Sequence, residues 1–219
     1  MTPQPLVVFG GTFDPPHLGH QEVIVGLRSN LRLPLLVVPN GHPAHRRTPS
    51  ASPEDRLRMT QLMVQGVGDP LVSVSDLEVR RPGPSYTADT LARLAADEPE
   101  RPLLLALGSD AARGLWRWHR PDRVAALARL VVFDRPGARI GAQAAVEELR
   151  GHGWLGPGPE QVSLAAPEVE SSRVRARLRR GEKADGLLAD PVLRYIRERG
   201  LYREPAGSAA VPDGIIAPR

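Results

Sequence analysis

The sequence predicts an α/β fold in which helices cover both faces of a doubly wound, mostly parallel sheet. Short apolar runs alternate with helical patterns along the chain, as in sheets whose parallel strands are joined by crossover helices. The segments richest in polar chemistry follow such runs directly, at residues 10–20, 40–47 and 108–110 and at Arg135. Because ligands of such sheets bind at the carboxyl ends of the strands, near the switch in strand order, these segments predict one shared site.

Strands are predicted wherever a short apolar run lies between turn residues. Four continuous runs rich in Leu and Val are typical of buried strands: residues 6–9, 35–38, 103–107 and 130–133. Residues 71–75 alternate between apolar and polar side chains, and residues 162–164 form a last short run. The chain therefore supplies enough strands for one substantial sheet.

Helices are predicted between and after these strands, at residues 17–31, 53–67, 86–96, 111–116, 121–128, 141–150, 173–180 and 191–199. Ser52 and Pro53 are typical of the N-cap and first position of the second helix, and two acidic residues follow them. Ser85 or Thr87 is the expected cap of the third helix. Residues 41–53 and 151–160 are predicted loops. The pattern fits a single domain over residues 1–203, and the Pro/Gly/Ala-rich tail, residues 204–219, is predicted to be disordered.

Composition excludes several classes of protein. The chain of 219 residues has 41% hydrophobic and 25% charged residues and no cysteine, which excludes disulfides, thiolate metal sites and cysteine nucleophiles. No apolar stretch approaches the length of a membrane span and no signal peptide is recognisable, so a cytoplasmic protein is expected. The net charge of +4 comes from basic residues that, apart from Lys183, are all arginine. Aromatic residues are only 4%, so we expect no nucleic-acid partner.

The first strand leads into the most specific motif of the chain. Gly10 and Gly11 allow a sharp turn and a close approach of a ligand to the main chain. After a turn at Asp14-Pro15-Pro16, a spacing of three places His17 and His20 on one face of a helix start. Two imidazoles at the positive end of a helix dipole are suited to phosphate. An ordinary tight turn followed by two histidines is the alternative.

Four other segments each permit a structural and a functional interpretation. The basic loop at residues 41–47 is either solvated or closes on a phosphorylated substrate, and residues 84–90 either cap a helix or bind a substrate carboxylate through helix amides. Trp116 and Trp118 cannot share one helix face, so one can be buried while the other stacks on a planar ring. Residues 170–175 form either a capped basic helix or a polyphosphate clamp. His119 and His152 are interpreted as surface residues.

The motif at residues 10–20, Gly-Gly-Thr-Phe-Asp-Pro-Pro-His-Leu-Gly-His, resembles the signature of the HxGH nucleotidyltransferases, whose fold is Rossmann-like. Within them the chain is similar to the bacterial nicotinate-nucleotide adenylyltransferases. Residues 85–91 match the Ser-Tyr-Thr-x-Asp-Thr-Leu of that family, and residues 43–46, 108–110 and 169–175 resemble further motifs of it. Arg46 stands where the family has lysine, and Glu170 and Ser172 stand in place of serine and threonine.

The resemblance implies transfer of the adenylyl group of ATP to nicotinate mononucleotide (NaMN), which gives nicotinate adenine dinucleotide (NaAD) and pyrophosphate. It implies catalytic roles for His17, His20 and Arg175. It also implies an ATP site formed by Gly10, Gly11, Thr12, Phe13, His17, His20, Gly108, Ser171, Ser172 and Arg175. The implied mononucleotide site comprises His45, Arg46, Ser85, Tyr86, Thr87, Asp110, Trp118 and Arg135. Mg²⁺ is expected to bind mainly through the ATP phosphates, without a dedicated protein ligand. Glu170 is expected to point away from the triphosphate.

Some alternatives stay open at this stage. Pantetheine-phosphate adenylyltransferase is the nearest rival, although such chains are usually shorter and lack the segment at residues 85–91. A regulatory nucleotide-binding module without catalysis is a rival of another class, and the high pI gives weak support to a nucleic-acid-binding protein. The sequence leaves open the preference for nicotinate over nicotinamide and the oligomeric state, for which a homo-oligomer is one alternative.

Overall fold

The computed structural model describes residues 3–44, 48–134, 141–155, 161–162, 164 and 169–203. Its strands are β1 (Leu6–Gly11), β2 (Leu35–Pro39), β3 (Val72–Val74), β4 (Leu103–Gly108), β5 (Arg129–Phe133) and β6 (Gln161–Val162). They form one sheet in the order β3-β2-β1-β4-β5-β6, and every pairing between neighbours is parallel. The predicted α/β fold with a parallel, Rossmann-like sheet is confirmed.

The described helices are α1 (Leu18–Leu31), α2 (Pro53–Val67), α3 (Leu77–Arg80), α4 (Thr87–Asp97), α5 (Ser109–Arg113), α6 (Pro121–Leu127), α7 (Ala142–Gly151), α8 (Ser171–Arg179) and α9 (Asp190–Arg199). A 3₁₀ turn, Leu115–Arg117, follows α5. None of the helices in the described ranges is long and apolar enough to cross a membrane.

Two apolar clusters lie on opposite faces of the sheet because alternate side chains of a strand point to opposite faces. Val7 and Phe9 of β1 belong to one cluster, together with side chains from α1, α2, α8 and α9. Leu6 and Val8 belong to the other, together with side chains from α4, α5, α6 and α7. Helices therefore cover both faces, as predicted.

The strand order switches at β1, whose neighbours are β2 on one side and β4 on the other. Gly11 lies beside Pro39 in the register of β1 and β2, and Val8 lies beside Leu105 of β4. The two crossovers leave the sheet in opposite directions here, so their loops diverge and a crevice opens at the carboxyl ends of β1 and β4.

Some boundaries differ from the sequence-based expectation. His17 is the N-cap of α1 and lies just outside the helix, and Gln161–Val162 replaces the expected strand at residues 162–164. The expected helix at residues 111–116 is the end of α5 followed by the 3₁₀ turn. The short helix α3 was not predicted, because its four residues are too few to show a period. The predicted tail, residues 204–219, lies outside the described residues.

The two capping predictions have opposite outcomes. Ser52 caps α2 as predicted, since its Oγ accepts a hydrogen bond of 3.0 Å from the Asp55 amide. The prediction that Ser85 or Thr87 caps α4 is wrong, because Tyr86 is the N-cap residue and makes no side-chain cap bond. The Ser85 hydroxyl instead accepts hydrogen bonds from the amides of Gly41 and His42, at 2.9 and 3.1 Å. It therefore ties the start of the 41–44 loop to the start of α4.

Candidate active site

A cavity of about 860 Å³ lies at the carboxyl ends of β1 and β4, where the strand order switches. Every residue predicted to bind ATP lines it. Of the predicted mononucleotide site, Ser85, Tyr86, Thr87, Asp110 and Trp118 line the same cavity. The structure thus brings both predicted sites into one space, while the binding role of each residue stays a prediction. His45, Arg46 and Arg135 lie outside the described residues.

The glycines at the end of β1 have different steric surroundings. A Cβ on Gly11 would lie 2.9 Å from the Phe13 ring, so this position has no room for a side chain. A Cβ on Gly10 would meet only the Val38 carbonyl oxygen, at 3.9 Å, so Gly10 leaves open space at the cavity wall. Phe13 has φ of 52°, a left-handed conformation that costs free energy in a non-glycine residue. This conformation accompanies a buried ring packed edge-on against His20, with centroids 4.9 Å apart.

The two histidines form a closely packed pair of tilted rings at the start of α1. Their ring centroids are 3.7 Å apart, and both side chains are buried although they line the cavity. The main-chain amide of His17 donates a hydrogen bond of 3.2 Å to Nδ1 of His20. Because Nδ1 accepts, the neutral His20 ring carries its proton on Nε2, and that nitrogen is a hydrogen-bond donor. The sequence predicted the proximity of the rings but not this orientation.

The start of α8 is held against the turn that precedes α1. Ser171 Oγ donates a hydrogen bond of 3.0 Å to the Pro15 carbonyl, and Arg175 Nη1 donates one of 2.6 Å to the Asp14 carbonyl. The N-terminal ends of α1 and α8 therefore meet at the same cavity. Both helix dipoles and the Arg175 guanidinium favour an anion there.

Glu170 lies beside this anion-binding region, and the expectation that it points away from a bound triphosphate stays a prediction. It lines the cavity, and its Oε2 accepts a hydrogen bond of 3.1 Å from Ser172 Oγ. Glu170 is also the N-cap position of α8, but its side chain makes no cap bond. A polyphosphate that takes the Ser172 hydroxyl as a donor has to break the contact with Glu170, which is exposed and can rotate towards solvent.

Aromatic rings surround the other end of the cavity. Trp118 is partly buried and lines it, whereas Trp116 is 50% exposed and packs with the Arg117 guanidinium above its ring. The two tryptophans thus differ in environment, but neither is the buried one that was expected, and stacking of Trp118 on a ligand ring stays a prediction. His119 is not the surface residue that was expected, because it lines the cavity and stacks on the Tyr86 ring with centroids 4.1 Å apart. His152 is exposed, as expected, and stacks on Trp154.

Sequence reasoning missed a buried carboxylate in the wall of this cavity. Glu78 of α3 is 4% exposed, and it accepts hydrogen bonds from Asn40 Nδ2 at 2.8 Å and from Thr90 Oγ1 at 2.6 Å. A Cβ on Gly41 would lie 2.2 Å from the Glu78 carbonyl oxygen, so the loop after β2 packs directly on α3. Glu78 therefore links the end of β2 to the first turns of α4, where Tyr86 and Thr87 lie.

A second missed residue is Arg56 of α2, which is fully buried. Its guanidinium donates hydrogen bonds to main-chain carbonyls of Thr12, Asn40, Gly41 and Ala51. Burial lowers the pKa of Arg56 from its usual range, and Asp14 opposes that shift. Arg56 thus joins the loop after β1 to the loop after β2 through hydrogen bonds to the main chain of both. Its only sequence signal was a basic residue in the first turn of a helix, which usually indicates an exposed side chain.

No group of three or more His, Cys, Asp or Glu side chains suited to a metal ion occurs in the part of the chain that the structure describes. Near α8 the cavity wall presents imidazoles, hydroxyls and a guanidinium together with two carboxylates, Glu170 and Asp14, and Asp14 already accepts hydrogen bonds from the Ser50 and Ala51 amides. The expectation of no dedicated protein ligand for Mg²⁺ stays a prediction.

Comparison with known proteins adds independent information. Residues 8–177 match the protein family described as Cytidylyltransferase-like. A probable nicotinate-nucleotide adenylyltransferase of Chromohalobacter salexigens is 38% identical over 214 residues, which cover 91% of this chain and 96% of the relative. One of Dehalococcoides mccartyi is 38% identical over 202 residues, with 89% and 95% covered.

Among solved structures, the fold is similar to that of a Plasmodium falciparum nicotinic acid mononucleotide adenylyltransferase complexed with NaAD. The TM-score is 0.74 at 17% sequence identity, and 91% of this chain and 98% of that chain are covered. At this identity the likeness supports the fold alone. The length and identity of the sequence matches show that this chain belongs to the Cytidylyltransferase-like family and, within it, to the nicotinate-nucleotide adenylyltransferases.

Proposed function

We propose that this chain is an enzyme that transfers the adenylyl group of ATP to NaMN and releases NaAD and pyrophosphate. The observation that carries the proposal is the single cavity at the strand switch, where an anion-binding end and an aromatic end face each other. Such a cavity is large enough for a dinucleotide-sized product. In this reaction the anion-binding end would hold the triphosphate of ATP and the aromatic end would hold the pyridine ring of NaMN. Family membership favours this reaction over others that the same cavity would fit.

The reaction depends on alignment of the two substrates and needs no nucleophilic side chain. An oxygen of the NaMN phosphate attacks the α-phosphorus of ATP, and the bond from that phosphorus to the oxygen bridging to the β-phosphate breaks. The electron pair leaves with pyrophosphate. The attacking phosphate monoester is already largely ionised at neutral pH, since its second pKa is about 6. The protein therefore has to hold two anions in line and stabilise the charge that develops on the phosphates.

The anion-binding end supplies donors for the triphosphate. In this proposal His17 and His20 bind the phosphates next to the reacting bond, with Nε2 of His20 as a donor. Ser171, Ser172 and Arg175 bind the β- and γ-phosphates at the N-terminus of α8. Gly10 and Gly11, followed by Thr12 and Phe13, let the nucleotide approach the main chain of β1, and Gly108 does the same at the end of β4. The contacts of His20 with the His17 amide and of Arg175 with the Asp14 carbonyl support these positions, because they fix both groups before the nucleotide binds.

The aromatic end is the proposed site of the mononucleotide. Trp118 and Tyr86 provide rings for stacking on the pyridine, and Thr87 begins α4, whose dipole favours the nicotinate carboxylate. Ser85 contributes by holding the 41–44 loop, and Asp110 is proposed to bind a ribose hydroxyl. His45 and Arg46 are proposed to bind the phosphate of NaMN, with Arg135 as a further binding residue.

Mg²⁺ is proposed to enter with ATP, bound through phosphate oxygens, and to neutralise phosphate charge. A cytoplasmic location and the absence of a nucleic-acid partner stay predictions of the sequence, and the oligomeric state stays open.

The proposal is tested with purified protein, NaMN, magnesium and ATP labelled at the α-phosphorus. The expected result is transfer of the label to NaAD, with one pyrophosphate released for each dinucleotide formed. Nicotinamide mononucleotide serves as the comparison substrate, and we expect a lower kcat/KM for it. Absence of labelled dinucleotide at substrate concentrations that saturate binding would contradict the proposal.

A further inference from the structure

The Asp14 side chain lies between the anion-binding end of the cavity and the loop before α2, which ends at residues 50 and 51. It is 4% exposed, and its Oδ2 accepts a hydrogen bond of 2.8 Å from the Ser50 amide, while Oδ1 accepts one of 3.1 Å from the Ala51 amide. Arg175 contacts Asp14 twice, since Nη1 donates to the main-chain carbonyl at 2.6 Å and lies 3.6 Å from Oδ2. The position of Asp14 therefore determines where the Arg175 guanidinium lies.

Tyr202 holds the same carboxylate from the opposite end of the sequence. Its hydroxyl donates a hydrogen bond of 2.8 Å to Asp14 Oδ1, across a separation of 188 residues. The side chain is buried, and burial together with the nearby Asp14 charge raises the pKa of Tyr202, so the hydroxyl stays a donor at neutral pH. Tyr202 also has φ of 62°, a left-handed conformation that persists in a non-glycine residue only when its surroundings fix it.

These contacts form a chain of three residues that ends in the cavity. We propose that Tyr202 is a positioning residue for nucleotide binding: through Asp14 it holds Arg175 in the orientation that binds the triphosphate. The inference rests on the proposed function, because it gives Arg175 its phosphate role. The new element is the role of Tyr202 itself. This residue follows α9 and does not line the cavity, yet it influences the affinity for ATP and for pyrophosphate.

The same part of the chain offers a matched control. Tyr195 of α9 donates a hydrogen bond of 2.8 Å from its hydroxyl to Asp55 Oδ1, so it also joins a C-terminal tyrosine to an aspartate. Asp55 lies at the start of α2, where it pairs with Ser52 and with Arg199, and it has no described contact with Arg175. Tyr195→Phe and Tyr202→Phe therefore each remove one hydroxyl and one tyrosine–aspartate hydrogen bond, but only Tyr202→Phe alters the contacts of Asp14.

The experiment measures ATP binding to both variants and to the wild type by calorimetry with magnesium, at a temperature well below each melting temperature. We expect Tyr202→Phe to weaken ATP binding by about threefold to tenfold, the range of one hydrogen bond, and Tyr195→Phe to leave it within about twofold. In steady-state assays, Tyr202→Phe is expected to raise the KM of ATP, and of pyrophosphate in the reverse direction, while the KM of NaMN stays near the wild-type value.

The two variants separate positioning from stability. Equal ATP affinities of the two variants, or an equal rise in the KM of ATP and NaMN in Tyr202→Phe, would overturn the inference and leave the proposed function intact. Failure of the wild type to form NaAD would contradict the proposed function, and the calorimetry would still show whether Tyr202 affects ATP binding. Both substitutions keep the aromatic ring and remove one hydrogen bond. A decrease in melting temperature that is the same in both variants therefore reports the loss of stability alone, without an effect on ATP binding.

Discussion

His17 and His20 constrain each other through the main chain as well as through their rings. The His17 amide donates to Nδ1 of His20, and the two rings pack against each other at an interplanar angle of 36°, with centroids 3.7 Å apart. Because Nδ1 of His20 accepts this hydrogen bond, the donor of that imidazole is Nε2. The start of α1 thereby orients one imidazole before any phosphate binds.

His20→Ala removes this oriented donor. We expect kcat to fall by about a hundredfold to a thousandfold, as for the loss of a donor that stabilises charge in the transition state. His152→Ala is the control, because His152 is exposed and does not line the cavity. Steady-state rates check the prediction, and circular dichroism verifies folding. A folded His20→Ala variant with near-wild-type turnover would contradict the phosphate role.

Trp118→Ala tests the aromatic end of the cavity. We expect the KM of NaMN to rise by about fivefold, the range of a stacked aromatic pair, with a smaller change in the KM of ATP. Trp116→Ala is the matched control, because Trp116 is two residues away, half-exposed and outside the cavity lining. If Trp118→Ala raised both KM values equally, Trp118 would be a packing residue and not a specific contact to the pyridine.

Gly10 and Gly11 should respond differently to the same added methyl group. In Gly11→Ala the new Cβ would lie 2.9 Å from the Phe13 ring, which packs on His20, so we expect about 1–3 kcal/mol of destabilisation and a loss of activity. In Gly10→Ala the methyl group enters open space at the cavity wall. We expect an unchanged melting temperature but about tenfold lower kcat, because the nucleotide is displaced. Thermal melting and kinetics of both variants check this, and equal melting temperatures would refute the steric difference.

Tyr202 should make the folded state sensitive to alkaline pH. Its pKa is raised in the folded protein above the ordinary value of 10.0, by burial first and by Asp14 second. The neutral hydroxyl is thus favoured on folding, so its stabilisation is complete below pH 10 and is lost as the pH rises further. We expect the difference in melting temperature between the wild type and Tyr202→Phe to shrink between pH 8 and about pH 11. A constant difference over this range would show that Tyr202 ionises equally easily in both states.

Much of the fold was predictable because its signals are local. Continuous apolar runs identify the buried strands, and Ser52 with Pro53 identifies a helix start through bonds between near neighbours. The convergence of the described polar segments, at residues 10–20, 40–44 and 108–110, on one cavity followed from the parallel sheet, since the strands before them end at the same edge.

The missed features depend on contacts between residues far apart in the sequence. Ser85 has the chemistry of an N-cap, but its hydroxyl accepts from amides more than forty residues earlier. His119 looked like a surface residue because nothing local shows that Tyr86 stacks on it. Buried charged residues such as Glu78 and Arg56 contradict the usual preference of charges for the surface, and only the tertiary structure supplies their hydrogen-bond partners.

The most direct test of the account is a crystal structure of the protein with magnesium and a non-hydrolysable ATP analogue. We expect the triphosphate between the His17–His20 pair and the start of α8, with the β- and γ-phosphates within hydrogen-bond distance of Ser171 and Arg175. A nucleotide bound elsewhere, with neither imidazole touching a phosphate, would contradict it.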